Sequence, residues 1–386
     1  MPTRRAFIFA GGGSGGHLYP GLAIAERLAE RDPDAESLFI CSDKPLDARL
    51  LAAEGVAFRP IPARPFSPRP VALLRLLRQW GTCVRLSRQA IRELRREKLE
   101  VHVVAMGGYA AAPVVQAARV EGIRVTLVNL DATPGKANRW IARHAAQRFT
   151  SAPIAGQSAD WSVVPSIVRR AAIATATKEE CRRSLGLDPS LPTLLVTGAS
   201  QGATSINAFM AALAMDQPGL FTGWQVYHQS GEGKGTAGPQ DLLAAYESAG
   251  VRAVIEPFCH DMASAWGGAD LAVSRCGAGN VGEVWANAVP TLFLPYPFHR
   301  DQHQKHNARP LVEVGGAELV EDLIDSQKNL MYAGAALAAL LSDAVRRDRM
   351  RAALRGLGPA DGADRVSAAL LAPEAYPPDS ARFRGV

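Results

Sequence analysis

The chain of 386 residues has few cysteines, few aromatic residues and no long apolar run. Its five cysteines are scattered and form no Cys-x-x-Cys pair, which argues for reduced thiols in a cytoplasm. Aromatic residues make up only 6%, too few to supply stacking platforms for nucleic acid. The apolar run at residues 6–10 is too short for a signal peptide or a membrane span. We therefore expect a soluble cytoplasmic protein that binds no nucleic acid.

Short apolar segments alternate with amphipathic ones along the whole chain. The apolar segments predict strands at 6–10, 37–41, 101–105, 124–128, 147–150, 193–197, 224–228, 252–256, 271–274 and 291–295. Alternation of strands and helices predicts parallel sheets covered by helices on both faces. The length exceeds what one core supports, and the polar segment 151–168 with its two prolines resembles a linker. We predict two Rossmann-like α/β domains, at 1–160 and 165–360.

Four of the predicted strands run directly into glycine-containing loops, which begin at Gly11, Gly107, Gly198 and Arg275. In open parallel sheets, ligands bind beyond the carboxyl ends of the strands, where glycine lets backbone N–H groups approach an anion. The first loop alone also fits a dinucleotide-dependent oxidoreductase. Because such loops occur in both halves, we favour a cleft enzyme that holds a donor on one domain and an acceptor on the other.

Several segments together resemble one family of bacterial glycosyltransferases, the MurG family. They are GGGSGGHLYPGLAIAERL (11–28), MGGYAAAPVVQAA (106–118), PGKANRWIAR (134–143), VTGASQGATSIN (196–207), PFCHDMASAWGGADLAVSRCGAGNVGEVWANAVPTLFLPYP (257–297) and HQKHNA (303–308). The resemblance implies a GT-B fold, in which two Rossmann-like domains face across a cleft and a last helix, here 363–372, packs back on the first domain.

The resemblance also implies an activity. The family transfers N-acetylglucosamine from UDP-N-acetylglucosamine to a lipid-linked muramyl-pentapeptide, the step from lipid I to lipid II of peptidoglycan synthesis. It inverts the anomeric configuration and has no tightly bound cofactor or metal. Two alternatives stay open: a related GT-B sugar-nucleotide enzyme with another acceptor or with epimerase chemistry, and a catalytically weakened homologue that binds a sugar nucleotide or lipid.

Donor-binding residues follow from the resemblance position by position. Glu283 matches a glutamate that holds the ribose hydroxyls, since a carboxylate accepts two O–H bonds; balancing the helix dipole is its simpler role. Arg169 matches an arginine near the diphosphate. The full donor-binding set is Ser14, Gly15, Gly16, Arg169, Ser200, Gln201, Gly202, Cys259, Ala278, Gly279, Asn280, Val281, Gly282, Glu283, His303 and Gln304.

The acceptor side is implied in the same way, with Gly107, Gly108, Tyr109 and Asn138 as binding residues. His17, at the end of the first glycine loop, is the candidate general base, because histidine titrates near neutrality. Its alternative role is only to hydrogen-bond the loop.

Asp131 stands where the family has an asparagine that touches the donor sugar, which makes it a departure and a rival base. His299, His303 and His306 have metal-ligand spacing, but this stretch already matches the donor site, so no metal is expected.

Residues 71–98 form a basic amphipathic stretch. It carries eight positive side chains, Arg75, Arg78, Arg85, Arg88, Arg92, Arg95, Arg96 and Lys98, against Glu93 and Glu97. This local surplus equals the net charge of the whole chain, +6. It predicts peripheral binding to an anionic membrane surface, the inner face of the cell membrane. The alternative is an ordinary domain helix whose arginines are solvated.

Overall fold

The structure, a computed structural model, describes residues 4–13, 15–65, 70–154, 160–198, 202–231, 238–299 and 301–372, without the side chains of 70–77. The chain divides into two compact units, Met1–Arg169 with Asp361–Val386, and Arg170–Ala360. Each unit contains one parallel sheet with helices. The predicted pair of parallel-sheet α/β domains is therefore confirmed.

The first unit is built on a seven-stranded sheet in the order β3-β2-β1-β4-β5-β6-β7. Its strands are Arg5–Ala10 (β1), Glu36–Ser42 (β2), Ala57–Ile61 (β3), Glu100–Ala105 (β4), Arg124–Asn129 (β5), Gln147–Thr150 (β6) and Ser162–Val163 (β7). Its helices are Gly15–Arg31 (α1), Pro45–Ala53 (α2), Pro70–Arg96 (α3), Ala111–Val120 (α4), Lys136–Ala142 (α5) and, from the end of the chain, Gly362–Leu371 (α15).

The second unit is built on a six-stranded sheet in the order β10-β9-β8-β11-β12-β13. Its strands are Thr193–Thr197 (β8), Gln225–Gln229 (β9), Arg252–Glu256 (β10), Leu271–Ser274 (β11), Thr291–Phe293 (β12) and Ala317–Leu319 (β13). Its helices are Lys178–Ser184 (α6), Thr204–Asp216 (α7), Pro239–Ser248 (α8), Met262–Gly268 (α9), Ala278–Asn287 (α10), His303–Glu313 (α11), Ser326–Asn329 (α12), Ala335–Ser342 (α13) and Ala344–Gly356 (α14).

The central strands read as nearly continuous apolar runs because helices bury both faces of each sheet. Ile8 on β1, Val103 and Val104 on β4, and Leu195 and Val196 on β8 are fully buried. In each sheet the strand order reverses at the central pair, β1 beside β4 and β8 beside β11. Ligands of such sheets bind where the order reverses. The four glycine loops follow these four strands, so both units place them at that point.

Three strands escaped the sequence prediction because they lie away from the sheet centres. β3 exposes most of its residues and contains Pro60, which an edge strand tolerates, and β13 has three residues. The third, β7, lies inside the segment 151–168 that was expected to be a linker. Ser162 and Val163 pair with β6, and Ile167 bridges to Asp361, so this segment belongs to the first unit and the boundary falls after Arg169.

The chain returns to the first unit at α15, which packs against α1. The buried guanidinium of Arg27 lies 3.1 Å from Asp364, which joins the two helices. At the start of α15, Gly362 packs on the Pro165 carbonyl so closely that an ideal Cβ would lie 2.0 Å from the oxygen. Only glycine fits this contact, so it fixes how α15 enters the unit.

We expect Gly362→Ala to destabilise the first unit by about 1–3 kcal/mol, because the added methyl must push the Pro165 backbone away. Gly356→Ala is the matched control, since no described atom lies within 4 Å of its ideal Cβ. Thermal unfolding followed by circular dichroism measures both variants. Equal melting temperatures for the two variants would contradict the close contact.

Candidate functional site

Two glycine loops meet at the carboxyl ends of β1 and β4. Gly107 and Gly108 take positive φ angles of 94° and 76°, conformations that favour glycine. An ideal Cβ on Gly107 would lie 2.6 Å from the Asn138 side-chain oxygen, and one on Gly108 would lie 3.0 Å from Cδ2 of His17. The structure therefore brings together three residues expected at the acceptor site, Gly107, Gly108 and Asn138, with the candidate base His17.

His17 lies in the first turn of α1 and is half-buried. Burial lowers its pKa below the ordinary value, while the negative charge of Asp131, a hydrogen bond with the Met106 backbone and the charge of Asp47 act in the opposite direction. The imidazole is consequently neutral at pH 7, the form that accepts a proton. Its Nδ1 atom is buried and meets no hydrogen-bond partner among the described residues.

A chain of buried amides positions the loop that carries Asp131. Asn138 donates to the side-chain oxygen of Asn129 at 2.9 Å, and Asn129 donates in turn to the Asp131 carbonyl at 2.7 Å and to Thr150 Oγ1 at 3.1 Å. Asn129 is completely buried at the end of β5. Sequence reasoning missed Asn129, although an asparagine at the carboxyl end of a buried strand is a usable signal.

The side-chain oxygen of Asn138 is buried without a partner in the described part of the chain, like Nδ1 of His17. Buried polar atoms of this kind ordinarily bind water or a ligand. Gly15 and Gly16 open α1 beside them, and the Tyr109 ring lies against Gly13, where an ideal Cβ would be 2.6 Å from it. Ser14 lies outside the described residues, as do Ser200 and Gln201 of the second unit.

In the second unit, the loop after β8 packs against the loop after β9. Gly202 has a φ of 71°, and an ideal Cβ there would lie 2.1 Å from the Ser230 carbonyl oxygen. Asn207 on α7 donates to the same oxygen at 2.9 Å. These contacts fix Gly202 itself at the carboxyl edge of the sheet.

The loop after β11 leads into α10, whose first two turns contain Ala278, Gly279, Asn280, Val281, Gly282 and Glu283. No described atom lies within 4 Å of an ideal Cβ on Gly277 or Gly279, so the loop backbone is open on that side. The helix N-terminus there favours an anion. Trp266 Nε1 donates to Glu283 Oε2 at 2.7 Å and orients the carboxylate.

Arg275, which the sequence reasoning also missed, connects the strand ends at this edge of the sheet. Its buried guanidinium pairs with the fully buried Asp322 at 2.8 Å and donates to Ser205 Oγ at 2.7 Å and to the Leu294 carbonyl at 2.9 Å. It thereby links the ends of β11, β12 and β13 to the start of α7.

His303 and Gln304 open α11. Gln304 Oε1 accepts from the Tyr296 backbone at 2.9 Å, and His303 lies 2.8 Å from Asp301 with its ring centroid 4.4 Å from that of His299. Among the described residues, no group of three His, Cys, Asp or Glu side chains is arranged to hold a metal ion. Cys259 is buried, which raises its pKa to about 11 and leaves an unreactive thiol.

Arg169, expected near the donor diphosphate, makes its described ion pairs within the first unit. It ends the first unit, where its guanidinium pairs with both oxygens of Glu54 at 2.8 and 2.6 Å and with Glu26 at 3.2 Å. The guanidinium also lies 5.5 Å from the Tyr19 ring centroid. These ion pairs connect Arg169 to α1 through Glu26 and to the C-terminal end of α2 through Glu54.

Comparison with known proteins identifies the class to which these two parallel-sheet units belong. The profile of the Glycosyltransferase family 28 N-terminal domain matches residues 7–150, and that of the Glycosyltransferase family 28 C-terminal domain matches residues 193–358. A solved MurG structure from Acinetobacter baumannii superposes with a TM-score of 0.69 at 22% identity, covering 95% of this chain and 99% of that one. The fold class is GT-B.

Curated relatives narrow the class to one family. A protein from Desulforudis audaxviator is 34% identical over 91% of this chain and 94% of its own length. One from Clavibacter michiganensis subsp. michiganensis is 36% identical over 94% of each chain. Both are named UDP-N-acetylglucosamine--N-acetylmuramyl-(pentapeptide) pyrophosphoryl-undecaprenol N-acetylglucosamine transferase. The chain belongs to the MurG family of glycosyltransferases.

Proposed function

We propose that this chain transfers N-acetylglucosamine from UDP-N-acetylglucosamine to the lipid-linked muramyl-pentapeptide, the step from lipid I to lipid II in peptidoglycan synthesis. The observation that carries the proposal is identity of 34–36% with relatives of that name over more than nine tenths of the chain. The proposed reaction uses no tightly bound cofactor or metal.

The second unit supplies the donor site in this proposal. The open N-terminus of α10 and the loop at Gly202 suit the diphosphate, because both present backbone to an anion at the carboxyl edge of the sheet. Glu283 suits the ribose hydroxyls, and its contact with Trp266 fixes the direction of the carboxylate. The opening of α11 at His303 and Gln304 suits the sugar hydroxyls.

The first unit supplies the base and the acceptor site. In the proposed step the acceptor hydroxyl oxygen bonds to the anomeric carbon, the bond from that carbon to the diphosphate oxygen breaks, and the configuration inverts. The hydroxyl proton passes to neutral His17, and UDP leaves with the electron pair of the broken bond. Gly107, Gly108, Tyr109 and Asn138 line the acceptor side beside His17.

Transfer assayed with labelled UDP-N-acetylglucosamine and a short-chain lipid-linked acceptor tests the proposal directly. We expect His17→Ala to lower turnover about 10²–10⁴-fold with donor binding nearly unchanged, because only the proton acceptor is lost. Asp131→Asn should be neutral or mildly activating, and His144→Ala serves as the histidine control.

The opposite pattern, loss of turnover in Asp131→Asn with most activity kept in His17→Ala, would assign the base to Asp131. A structure assigned as a UDP-N-acetylglucosamine 2-epimerase of Listeria monocytogenes shares the fold, with a TM-score of 0.64 at 14% identity. Epimerised sugar nucleotide formed without acceptor would therefore replace the transferase proposal with that alternative. Donor binding without turnover would favour a weakened homologue.

Glu283→Ala should raise the dissociation constant for UDP at least tenfold, as expected for a lost charge-assisted hydrogen bond. Glu283→Gln keeps an oxygen that accepts from Trp266 but removes the negative charge, so it shows how much of the affinity depends on that charge. Glu247→Ala, at an exposed position, is the control. Isothermal titration calorimetry measures all three. Unchanged affinity in Glu283→Ala would remove Glu283 from the donor site.

We further propose that α3 binds an anionic membrane surface, the inner face of the cell membrane. Among the side chains of α3 that the structure describes, the apolar Cys83, Ala90 and Ile91 are buried in the core of the first unit, so the proposed lipid contact rests on the charged ones. Two of these charged side chains form ion pairs with Glu121, Arg88 at 2.7 Å and Arg92 at 3.0 Å. Further positive side chains stay exposed, namely Arg78, Arg85, Arg95, Arg96 and Lys98. Within the described residues no helix could span a membrane.

Binding to vesicles that contain anionic phosphatidylglycerol should weaken with added salt and fall about thirtyfold in the double variant Arg85→Gln, Arg96→Gln, since each basic residue near the surface contributes about 1 kcal/mol. The double variant Arg183→Gln, Arg349→Gln removes the same charge from exposed positions of the second unit and should bind normally. Vesicle sedimentation measures both. Equal sedimentation with neutral vesicles would overturn the proposal.

A further inference from the structure

Asp47 is a fully buried acidic residue in the first turn of α2. One oxygen, Oδ2, accepts from the Gly13 backbone N–H at 2.7 Å, from Ser42 Oγ at 2.6 Å and from the Ser42 backbone N–H at 3.2 Å. The other oxygen, Oδ1, is buried and meets no hydrogen-bond partner among the described residues. Burying a carboxyl group with half of its capacity unused is costly, so a purely structural role explains it poorly.

The contacts of Asp47 fall on the loop that presents His17. Gly12 and Gly13 have φ angles of 147° and 92°, and an ideal Cβ on Gly12 would lie 2.5 Å from Asp47 Oδ2. Lys44, one turn earlier at the start of α2, donates to the Gly13 carbonyl at 2.9 Å. The N-terminal turn of α2 thus holds both backbone polar groups of Gly13, four residues before His17.

We propose that Asp47 is a positioning residue for the transfer reaction: it fixes the glycine loop that presents His17 to the acceptor, and its negative charge supports the protonated imidazole. The proposal rests on the proposed function of His17 as the base. The charged and polar groups that face His17 and its loop are Asp131 after β5, Asp47 and Lys44 from α2, and Tyr109 after β4. Of these groups, Asp47 is shown to accept a hydrogen bond from a backbone N–H of the loop, that of Gly13.

The charge of Asp47 stabilises the imidazolium, so removing that charge lowers the pKa of His17 further. Asp47→Asn keeps the shape of the side chain and removes the charge. We expect the pKa of His17 to fall and the acid limb of the kcat/KM profile to move to lower pH with it. A neutral amide oxygen accepts the Gly13 N–H more weakly than a carboxylate, so the loop is held less firmly and kcat should fall about tenfold, while KM for UDP-N-acetylglucosamine changes less than threefold.

The experiment combines transfer kinetics with NMR titration of labelled His17 and the Gly13 amide resonance in the full chain. Asp47→Glu keeps the charge on a longer side chain, so kcat should fall while the pKa of His17 holds. Asp43→Asn is the control, because the carboxylate of Asp43 bonds Arg64 at 2.8 Å and is partly exposed, and all three measurements should match the unaltered protein.

An unchanged His17 pKa together with unchanged kcat in Asp47→Asn overturns the proposal. Should Asp47→Asn fail to fold, Asp47→Glu carries the test, and normal kcat in that variant overturns it. The NMR readout needs no turnover. A shifted His17 resonance in a chain that transfers no sugar therefore supports the role of Asp47 and refutes only the proposed reaction.

Discussion

Close approach of backbone segments at the carboxyl edges of both sheets is the constraint on which the two candidate sites depend. The loop at Gly202 touches the Ser230 carbonyl, and the loop at Gly107 touches Asn138, at distances that leave no room for a Cβ. Glycine at these positions releases the backbone from side-chain clashes. Both candidate sites lie where the strand order reverses, because the crevice for a ligand opens there in sheets of this kind.

The two units fix their loops with opposite charges. In the first, the buried Asp47 accepts a loop N–H and its charge raises the proton affinity of His17. In the second, the buried Arg275 pairs with Asp322 and holds the strand ends beneath an open helix N-terminus. In the proposed reaction, the negative charge of Asp47 matches the positive charge that develops on His17, and the N-terminus of α10 favours the negative charge of the departing nucleotide diphosphate.

For the basic stretch of α3 and for Arg169, the contacts in the structure indicate a structural role that the sequence did not predict. On α3, the pairing of Arg88 and Arg92 with Glu121 shows that part of the basic stretch stabilises the packing of α3 on α4. Arg169, aligned with a diphosphate residue, is held by Glu54 and Glu26 in the first unit. Because a guanidinium pairs well with either a carboxylate or a phosphate, the identity of the residue alone does not choose between them.

The sequence by itself determined the fold class and the position of the four glycine loops, because strand–helix alternation and glycine spacing are local patterns. The family resemblance added His17, Asn138 and Glu283 as candidate site residues. The tertiary structure decided what joins those residues: Asn129 bonding Asn138, Asp47 bonding Gly13, and Trp266 bonding Glu283. Those pairs lie 9 to 34 residues apart. No local pattern encodes such contacts, since they form only when separate strands and helices meet at one edge of a sheet.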